Sequence, residues 1–228
     1  MPFEYNLGDR TPSDEPASFR QHAFDKIYTA IYDGTLEPGE ELADQELSDW
    51  LQMSRQPIRY ALQHLADLGL VVLGNGRAPR VSELDPARAN RTLLVGGMYN
   101  TYAASVVVGN LSDEQLVRLD DACAEVQSAH DDRDRTRSAE GVNRFFRVLS
   151  EALDNPVITA HFARMSYELG RFLQPGGSLV DPDSLAEPIA ALNTAIQAGD
   201  RHRAMAITRR LFEATRDNFV EQFRTPMV

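Results

Sequence analysis

Hydrophobic residues recur at intervals of three and four along most of the 228-residue chain, as they do in amphipathic helices. The first 17 residues lack this pattern. Prolines alternate there with acidic residues, which predicts a flexible arm over residues 1–17. We expect Ser18 to cap the first helix, whose apolar stripe continues until Gly34 ends it. The stripe consists of Phe24, Ile27, Tyr28 and Ile31.

Two further helices are predicted, with only a tight turn between them. Asp44 is placed to cap the second helix, and Ser54 is placed to cap the third. Pro57 falls in the first turn of the third helix, where a missing backbone N–H costs nothing. The positions expected to be buried in the second helix are Leu47, Trp50 and Leu51. Those of the third are Ile58, Leu62, Leu65 and Leu68.

The pattern then changes to that of a β-hairpin. Two apolar stretches, 70–73 and 78–81, flank the sequence Gly74-Asn75-Gly76, which predicts short strands joined by a glycine turn. Three helices followed by such a hairpin form a winged helix-turn-helix, which we assign to residues 18–82. Residues 83–86 are predicted to be a linker.

From residue 87 onward the periodicity stays helical and predicts no strand. Ser112 with Gln115 has the form of a capping box, and Asp200 is placed to open the last helix. The predicted helices are 87–109, 112–130, 137–153, 156–173, 182–198 and 200–223. The expected fold class is therefore mainly α, with an N-terminal winged helix-turn-helix plus a C-terminal all-α helical bundle over residues 87–228.

Composition narrows the function classes. No apolar run is long enough to span a bilayer, and the first residues lack the apolar segment of a signal peptide. Cys123 is the single cysteine, which excludes a disulfide framework and a cysteine-based zinc site. These features predict a cytoplasmic protein. The net charge of −11 argues against indiscriminate binding to nucleic acid.

The charge balance is reversed in one segment. Between Gln52 and Ser82 four arginines stand against a single acid, Asp67. Arg55 and Arg59 are four residues apart and share a helix face opposite the apolar stripe. Arginine can bind guanine or a phosphate, and Gln56 can pair with adenine. The alternative interpretation is two solvated arginines on a surface helix.

The ordered motifs of residues 24–82 resemble the DNA-binding domain of the GntR family of bacterial regulators. The matching stretches are Ile31-Tyr32-Asp33-Gly34-Thr35-Leu36-Glu37-Pro38-Gly39, then Leu42, Glu46-Leu47-Ser48 and residues 54–62. The resemblance implies that the third helix contacts operator DNA and that the wing reaches the minor groove. The residues it implicates are Gln45, Ser54, Arg55, Gln56, Arg59, Asn75, Gly76 and Arg77.

Two of these residues depart from the family pattern. Family members often carry arginine where Gln45 stands, and usually threonine where Gln56 stands. The operator of this protein is therefore expected to differ from the common family consensus.

The helical remainder resembles the FCD ligand-binding domain of the FadR-like branch. The resemblance is carried by Phe145-Phe146-Arg147, Asn155-Pro156 and residues 195–200. Many FCD domains hold a divalent metal through one acid and three histidines. The residues at those four positions are Asn143, Arg147, Ile189 and Leu211, none of which is a usual metal ligand. We therefore expect no metal and no other cofactor.

Arg147 can supply the positive charge that the metal would have provided. On this basis the expected effector is a small organic acid or acyl compound. The alternative is that Arg147 pairs with an internal acid, Glu151 or Glu168. The residues predicted to line the ligand cavity are Arg147, Asn143, Tyr99, His161, Ile189 and Leu211.

These observations favour a ligand-responsive transcription regulator that binds a near-palindromic operator as a homodimer. An enzyme is disfavoured, because the chain has no glycine-rich phosphate loop, nucleophile elbow or zinc-protease motif. A helical adaptor whose winged helix binds protein rather than DNA stays open, since residues 1–82 carry seven basic against thirteen acidic residues.

Overall fold

The computed structural model describes residues 16–74, 76–172 and 182–224, which fall into two compact units that divide between Leu84 and Asp85. The first unit combines three helices with a β-hairpin. In the described residues of the second unit, the secondary structure is entirely helical. The predicted fold class, mainly α with a winged helix-turn-helix before a helical bundle, is confirmed.

The first unit is built around the packing of its first and third helices. Its elements are α1 (Pro16–Tyr32), α2 (Asp44–Leu51), α3 (Arg55–Asp67), β1 (Val71–Val72) and β2 (Arg80–Val81). The apolar stripes of α1 and α3 face each other and include the fully buried Ile27, Ile58 and Leu65. β1 and β2 are antiparallel, with Val71 opposite Val81. The segment after α1 also bonds to β2, because Val81 N donates to Glu40 O at 2.9 Å.

Several predicted details of this unit are wrong. The first helix begins at Pro16, two residues before the predicted cap Ser18. The N-cap of α2 is Ala43, so Asp44 is the first residue of the helix and not its cap. Ser54 does occupy the N-cap of α3, but its side chain makes no capping hydrogen bond. Trp50 is 49% exposed instead of buried. With only two turns, α2 buries a single side chain, Leu47, and its C-terminal end stays outside the core.

The second unit is a bundle in which the first and last helices form the most extensive pair. Its helices are α4 (Pro86–Val107), α5 (Asp113–Asp131), α6 (Arg135–Glu151), α7 (Pro156–Gly170), α8 (Ala186–Gln197) and α9 (Arg201–Arg224). A short 3-10 helix, Pro182–Leu185, precedes α8. The predicted capping box of Ser112 and Gln115 is present, and Asp200 accepts from Arg203 N at 3.0 Å. None of the helices in the described part of the chain is long and apolar enough to cross a membrane.

Two adjacent glycines allow the neighbours of α4 to approach its backbone. A methyl group at Gly96 would lie 2.7 Å from Met165 Sδ, and one at Gly97 would lie 2.9 Å from Phe212 Cβ. Both distances are shorter than van der Waals contact allows. Met165 and Phe212 therefore pack directly on the α4 main chain.

The capping box predicts that deleting its hydroxyl destabilises the protein more than deleting a hydroxyl in the middle of a helix does. We expect Ser112→Ala to lower the free energy of unfolding by about 1 kcal/mol, because the Gln115 N–H loses its acceptor. Thr194→Ala is the control. Its hydroxyl donates to Ala190 O within α8, and such mid-helix bonds add little. Urea unfolding followed by circular dichroism measures both; equal losses would contradict the prediction.

Candidate nucleic-acid interface and ligand cavity

The outer face of α3 carries the side chains predicted to contact DNA. Ile58 and Leu62 anchor the helix in the core, whereas Arg55, Gln56 and Arg59 are all exposed. At about 100° per residue Gln56 points away from the buried stripe, whereas Arg55 lies seven residues before Leu62 on the same side of the helix and is exposed at its first turn. The structure thus brings the three residues onto one accessible surface.

Side chains of α2 hold the two arginines in place. Arg59 Nε donates to Asp44 Oδ2 at 2.5 Å, and Arg55 Nη2 donates to Gln45 Oε1. The terminal amino groups of Arg59 make no hydrogen bond within the described residues, and its side chain is 67% exposed. Gln45 therefore lies beside the exposed side chains of α3, where it orients Arg55.

The start of α3 is also open to solvent. Ser54 is exposed, and its hydroxyl is not used to cap the helix. The first backbone N–H groups of a helix, together with its dipole, favour a bound phosphate. Ser54 could donate to the same group.

Arg20 and Tyr60 extend this surface, although sequence reasoning did not include them. The guanidinium carbon of Arg20, from α1, lies 3.9 Å from the centre of the Tyr60 ring on α3. The pairing of the two residues joins separate helices, so no local spacing could have indicated it. Tyr60 itself follows Arg59 in the sequence and could have been noticed as an exposed aromatic residue.

The wing has the sharp turn that its glycines predict. A methyl group at Gly74 would lie 2.7 Å from the carbonyl oxygen of Arg77, and Gly76 has a φ of 73°. Both positions therefore favour glycine. Gly76 and Arg77 are exposed at the tip, whereas Asn75 lies outside the described residues. At the base of the wing, Arg80 forms an ion pair with Glu41.

The second unit contains a cavity of about 100 Å³ between α4, α6, α7 and α9. Its walls are largely apolar, with four polar residues among them. The lining residues are Leu93, Asn100, Ala139, Val142, Asn143, Phe146, Phe162, Met165, Ser166, Leu169, Phe172, Leu185, Leu211, Phe212 and Thr215.

The polar groups of this lining are uncharged. Asn100 Nδ2 donates to Gly96 O at 2.9 Å, and Thr215 Oγ1 donates to Leu211 O at 2.8 Å. Ser166 Oγ is buried and has no hydrogen-bond partner. No described lining residue is histidine, aspartate or glutamate, so this lining does not fit the divalent metal of many FCD domains.

The cavity contains only part of the predicted ligand set. Asn143 and Leu211 line it, whereas Ile189 is fully buried in the core and lies outside the lining. Tyr99 and His161 line a separate surface depression between α4 and α7, together with Arg88, Arg91 and Arg164. Phe162 and Met165 border both spaces and form the partition between them.

Arg147, which is predicted to line the ligand cavity, lies outside the lining of this cavity. Its neighbour Phe146 does line it, and successive helical residues point about 100° apart, so a shift of one residue changes the side chain that enters. Neither predicted internal pair forms. Glu151 binds Arg118 at 2.6 Å, and Glu168 binds Arg88 at 2.8 Å.

The outer face of α4 is apolar and exposed. Leu94, Met98, Tyr102 and Val106 follow one another at intervals of four, and each is at least 41% exposed. They form a strip about 18 Å long at 1.5 Å per residue. We call these four residues the α4 strip.

Two families match successive parts of the chain. Residues 19–81 match the bacterial regulatory proteins of the gntR family, and residues 100–214 match the FCD domain. The two matches fall within the first and second units, respectively.

Curated relatives and solved structures agree with these matches. The regulator McbR of Escherichia coli K12 is 25% identical over 177 residues, covering 74% of this chain and 80% of McbR. YdhC of Bacillus subtilis 168, an uncharacterized regulator, is 22% identical over 62% of this chain and 64% of its own length. The E. coli McbR/YncC structure superposes with a TM-score of 0.75 at 19% identity, covering 90% of this chain and 98% of that one.

A second solved structure has a nearly equal fold similarity. It is a GntR regulator from Rhodococcus sp. RHA1, with a TM-score of 0.74 at 18% identity. The superposition covers 90% of this chain and 98% of the Rhodococcus chain. At this identity the likeness shows that the fold is shared.

The buried hydroxyl in the cavity predicts a stabilising substitution. We expect Ser166→Ala to raise the free energy of unfolding by about 1 kcal/mol, because an unsatisfied buried polar group is removed. Ser150→Ala is the matched control, since Ser150 Oγ is also buried without a partner but lies outside the cavity lining. Both should be stabilising in urea unfolding. Loss of stability in Ser166→Ala alone would show that a water molecule occupies the cavity.

Proposed function

This chain belongs to the GntR family of bacterial regulatory proteins, with an FCD effector-binding domain, and on that premise we propose that it binds operator DNA as a homodimer. The families and relatives it matches are transcription regulators and not enzymes. In our proposal α3 enters the major groove, the wing contacts the minor groove, and a small effector in the FCD cavity controls the affinity for DNA.

The exposed arginines of α3 are the observation that supports DNA binding most directly. Arg59 uses its Nε to bind Asp44, which leaves its two terminal amino groups for a guanine or a phosphate. Holding the guanidinium in one orientation before binding reduces the entropy lost on complex formation. Arg77 adds a further positive charge, at the tip of the wing, although the net charge of the whole chain is −11.

A protein-binding adaptor is the competing proposal. The acidic excess of the first 82 residues supports it, and three of these acids, Asp44, Glu46 and Asp49, lie on α2. Asp44, however, is engaged by Arg59. The arginines on α3 and the wing favour a polyanionic partner, and operator DNA is the one that the family binds.

The α4 strip supports the homodimer. Soluble monomers rarely expose a continuous apolar patch of this kind. Val95 is also exposed and lies beside the strip on α4, whereas the remaining large exposed hydrophobic residues of the second unit's described part, Val117 and Val157, stand apart on α5 and α7. Two copies related by a twofold axis would bury the strip of each against that of the other. The same axis would place two recognition helices on two half-sites of an operator.

Effector control requires a difference between two states. A ligand alters DNA affinity only if it binds the DNA-competent and DNA-incompetent arrangements with unequal affinity. The cavity lies between four helices, including α4, so a ligand that changes their packing would also affect the helix on which we place the dimer contact. We therefore assign effector binding to this cavity.

Removing either arginine should weaken DNA binding. We expect Arg55→Ala and Arg59→Ala to lower the affinity for DNA from the gene's own promoter region roughly 10- to 100-fold, since each loses a charged contact. Fluorescence anisotropy at several salt concentrations measures the affinity and the salt slope, which should become shallower by about one phosphate contact if the lost contact is to a phosphate.

Arg203→Ala provides the matched control. Arg203 is an exposed arginine on α9, so the substitution makes the same change in net charge within the second unit. Its effect on DNA affinity should be small. If the wild-type protein shows no specific binding at low salt, or if all three variants weaken it equally, the adaptor proposal gains and the assigned role of α3 is lost.

A charge in the α4 strip should separate the subunits. We expect Met98→Glu, at the most exposed position of the strip, to shift the protein from dimer to monomer in sedimentation velocity experiments. Val117→Glu is the control, because Val117 is also more than half exposed but lies on α5. A dimer that persists in Met98→Glu would place the interface elsewhere.

A further inference from the structure

We infer that the FCD cavity selects a small, uncharged, largely apolar molecule that carries a carbonyl or hydroxyl group. The inference rests on the proposed effector role of the cavity and goes further by naming the ligand's chemical class. Between the two classes expected from the sequence, it favours a neutral acyl compound over an organic acid.

The shape and walls of the cavity limit the ligand to a compact apolar body. Phe146, Phe162, Met165 and Leu211 are among the side chains that enclose its roughly 100 Å³. Apolar cavities of similar size remain dry and take up molecules such as benzene. A single aromatic ring or a short branched chain matches these walls.

The charge of the lining excludes a carboxylate from this space. None of the described lining residues is lysine, arginine or histidine, and the sequence of residues 173–181 contains none either. Arg147 lies outside the lining, and so does the buried Arg171, although Arg171 directly precedes the lining residue Phe172. An anion bound here would lose its hydration without gaining an opposite charge.

The cavity offers a hydrogen-bond partner for one polar group of a ligand. Ser166 Oγ is buried without any hydrogen-bond partner, so it can donate to a carbonyl or accept from a hydroxyl. The amide of Asn143 lines the same cavity. A ligand with one carbonyl group would thus satisfy a protein hydroxyl that is otherwise left unsatisfied.

The surface depression beside the cavity has the opposite character. Arg91, Arg164 and His161 line it, but Phe162 and Met165 separate it from the cavity. An acid could bind in that depression without entering the apolar space. The test must therefore distinguish the two locations.

Benzamide and benzoate provide the decisive comparison, because they have nearly the same shape and differ in charge. We would titrate each into the full-length protein and follow amide and methyl chemical shifts by NMR. Benzamide should bind at least 10-fold more tightly than benzoate and perturb the methyl signals of Met165 and Leu211. Equal or tighter binding of benzoate, or no binding of benzamide, would overturn the inference.

Two variants test the assigned groups. Ser166→Ala keeps the cavity and removes its free hydroxyl, so it should weaken benzamide severalfold and leave toluene binding unchanged. Leu211→Arg places a cation in the lining and should reverse the preference toward benzoate. If benzoate binds the wild type as tightly as benzamide does and Arg164→Ala abolishes that binding, the depression is the ligand site and the inference is wrong.

The effector role is tested separately. DNA affinity is measured with and without saturating benzamide, using the wild-type protein. If benzamide binds the cavity but leaves DNA affinity unchanged, the inferred ligand class still holds. The proposed control of DNA binding by such compounds would then be contradicted. The two failures are therefore distinguishable.

Discussion

The close packing of α4 against α9 is the contact on which the second unit depends. It is the most extensive helix pair of this unit. It depends on glycine at position 97, where Phe212 of α9 touches the α4 backbone, and Gly96 beside it lets Met165 of α7 approach. The buried face of α4 packs mainly against α9 and also contacts α6 and α7. Its opposite face stays apolar and exposed, and one of its flanks forms a wall of the cavity.

In the first unit, too, one face of a helix packs in the core while the other is exposed. The inner stripe of α3 packs on α1, and this packing determines which side chains face outward. α2 then supplies Asp44 and Gln45, which hold the outward arginines. The orientation of these arginines therefore depends on two helices that are adjacent in sequence and separated by one tight turn, in which Gln52 adopts a φ of 54°.

Most of the fold was accessible from the sequence because its signals are local. Helical periodicity, the wing glycines and the capping box of Ser112 each lie within a few residues, and each element appears where expected to within a few residues. The predictions that differ from the structure concern helix ends and the short helix α2. Asp44 has the chemistry of a cap, yet its carboxylate binds Arg59, a partner 15 residues away that no local spacing reveals.

The ligand cavity was harder to predict for a related reason. Whether Phe146 or Arg147 faces inward depends on the rotation of α6, and an alignment uncertain by one residue turns the side chain by about 100°. The sequence predicts that Tyr99 and His161 line the same cavity as Asn143, but the partition formed by Phe162 and Met165 puts them in a different space. That partition is a tertiary feature.

The cavity also has a consequence for the lifetime of the protein in the cell. A ligand that fills the cavity stabilises the native state in proportion to its occupancy, and so reduces the fraction of chains that are unfolded and open to proteases. The effector would then set the abundance of the regulator as well as its activity, which a pulse-chase measurement of its half-life with and without effector would reveal.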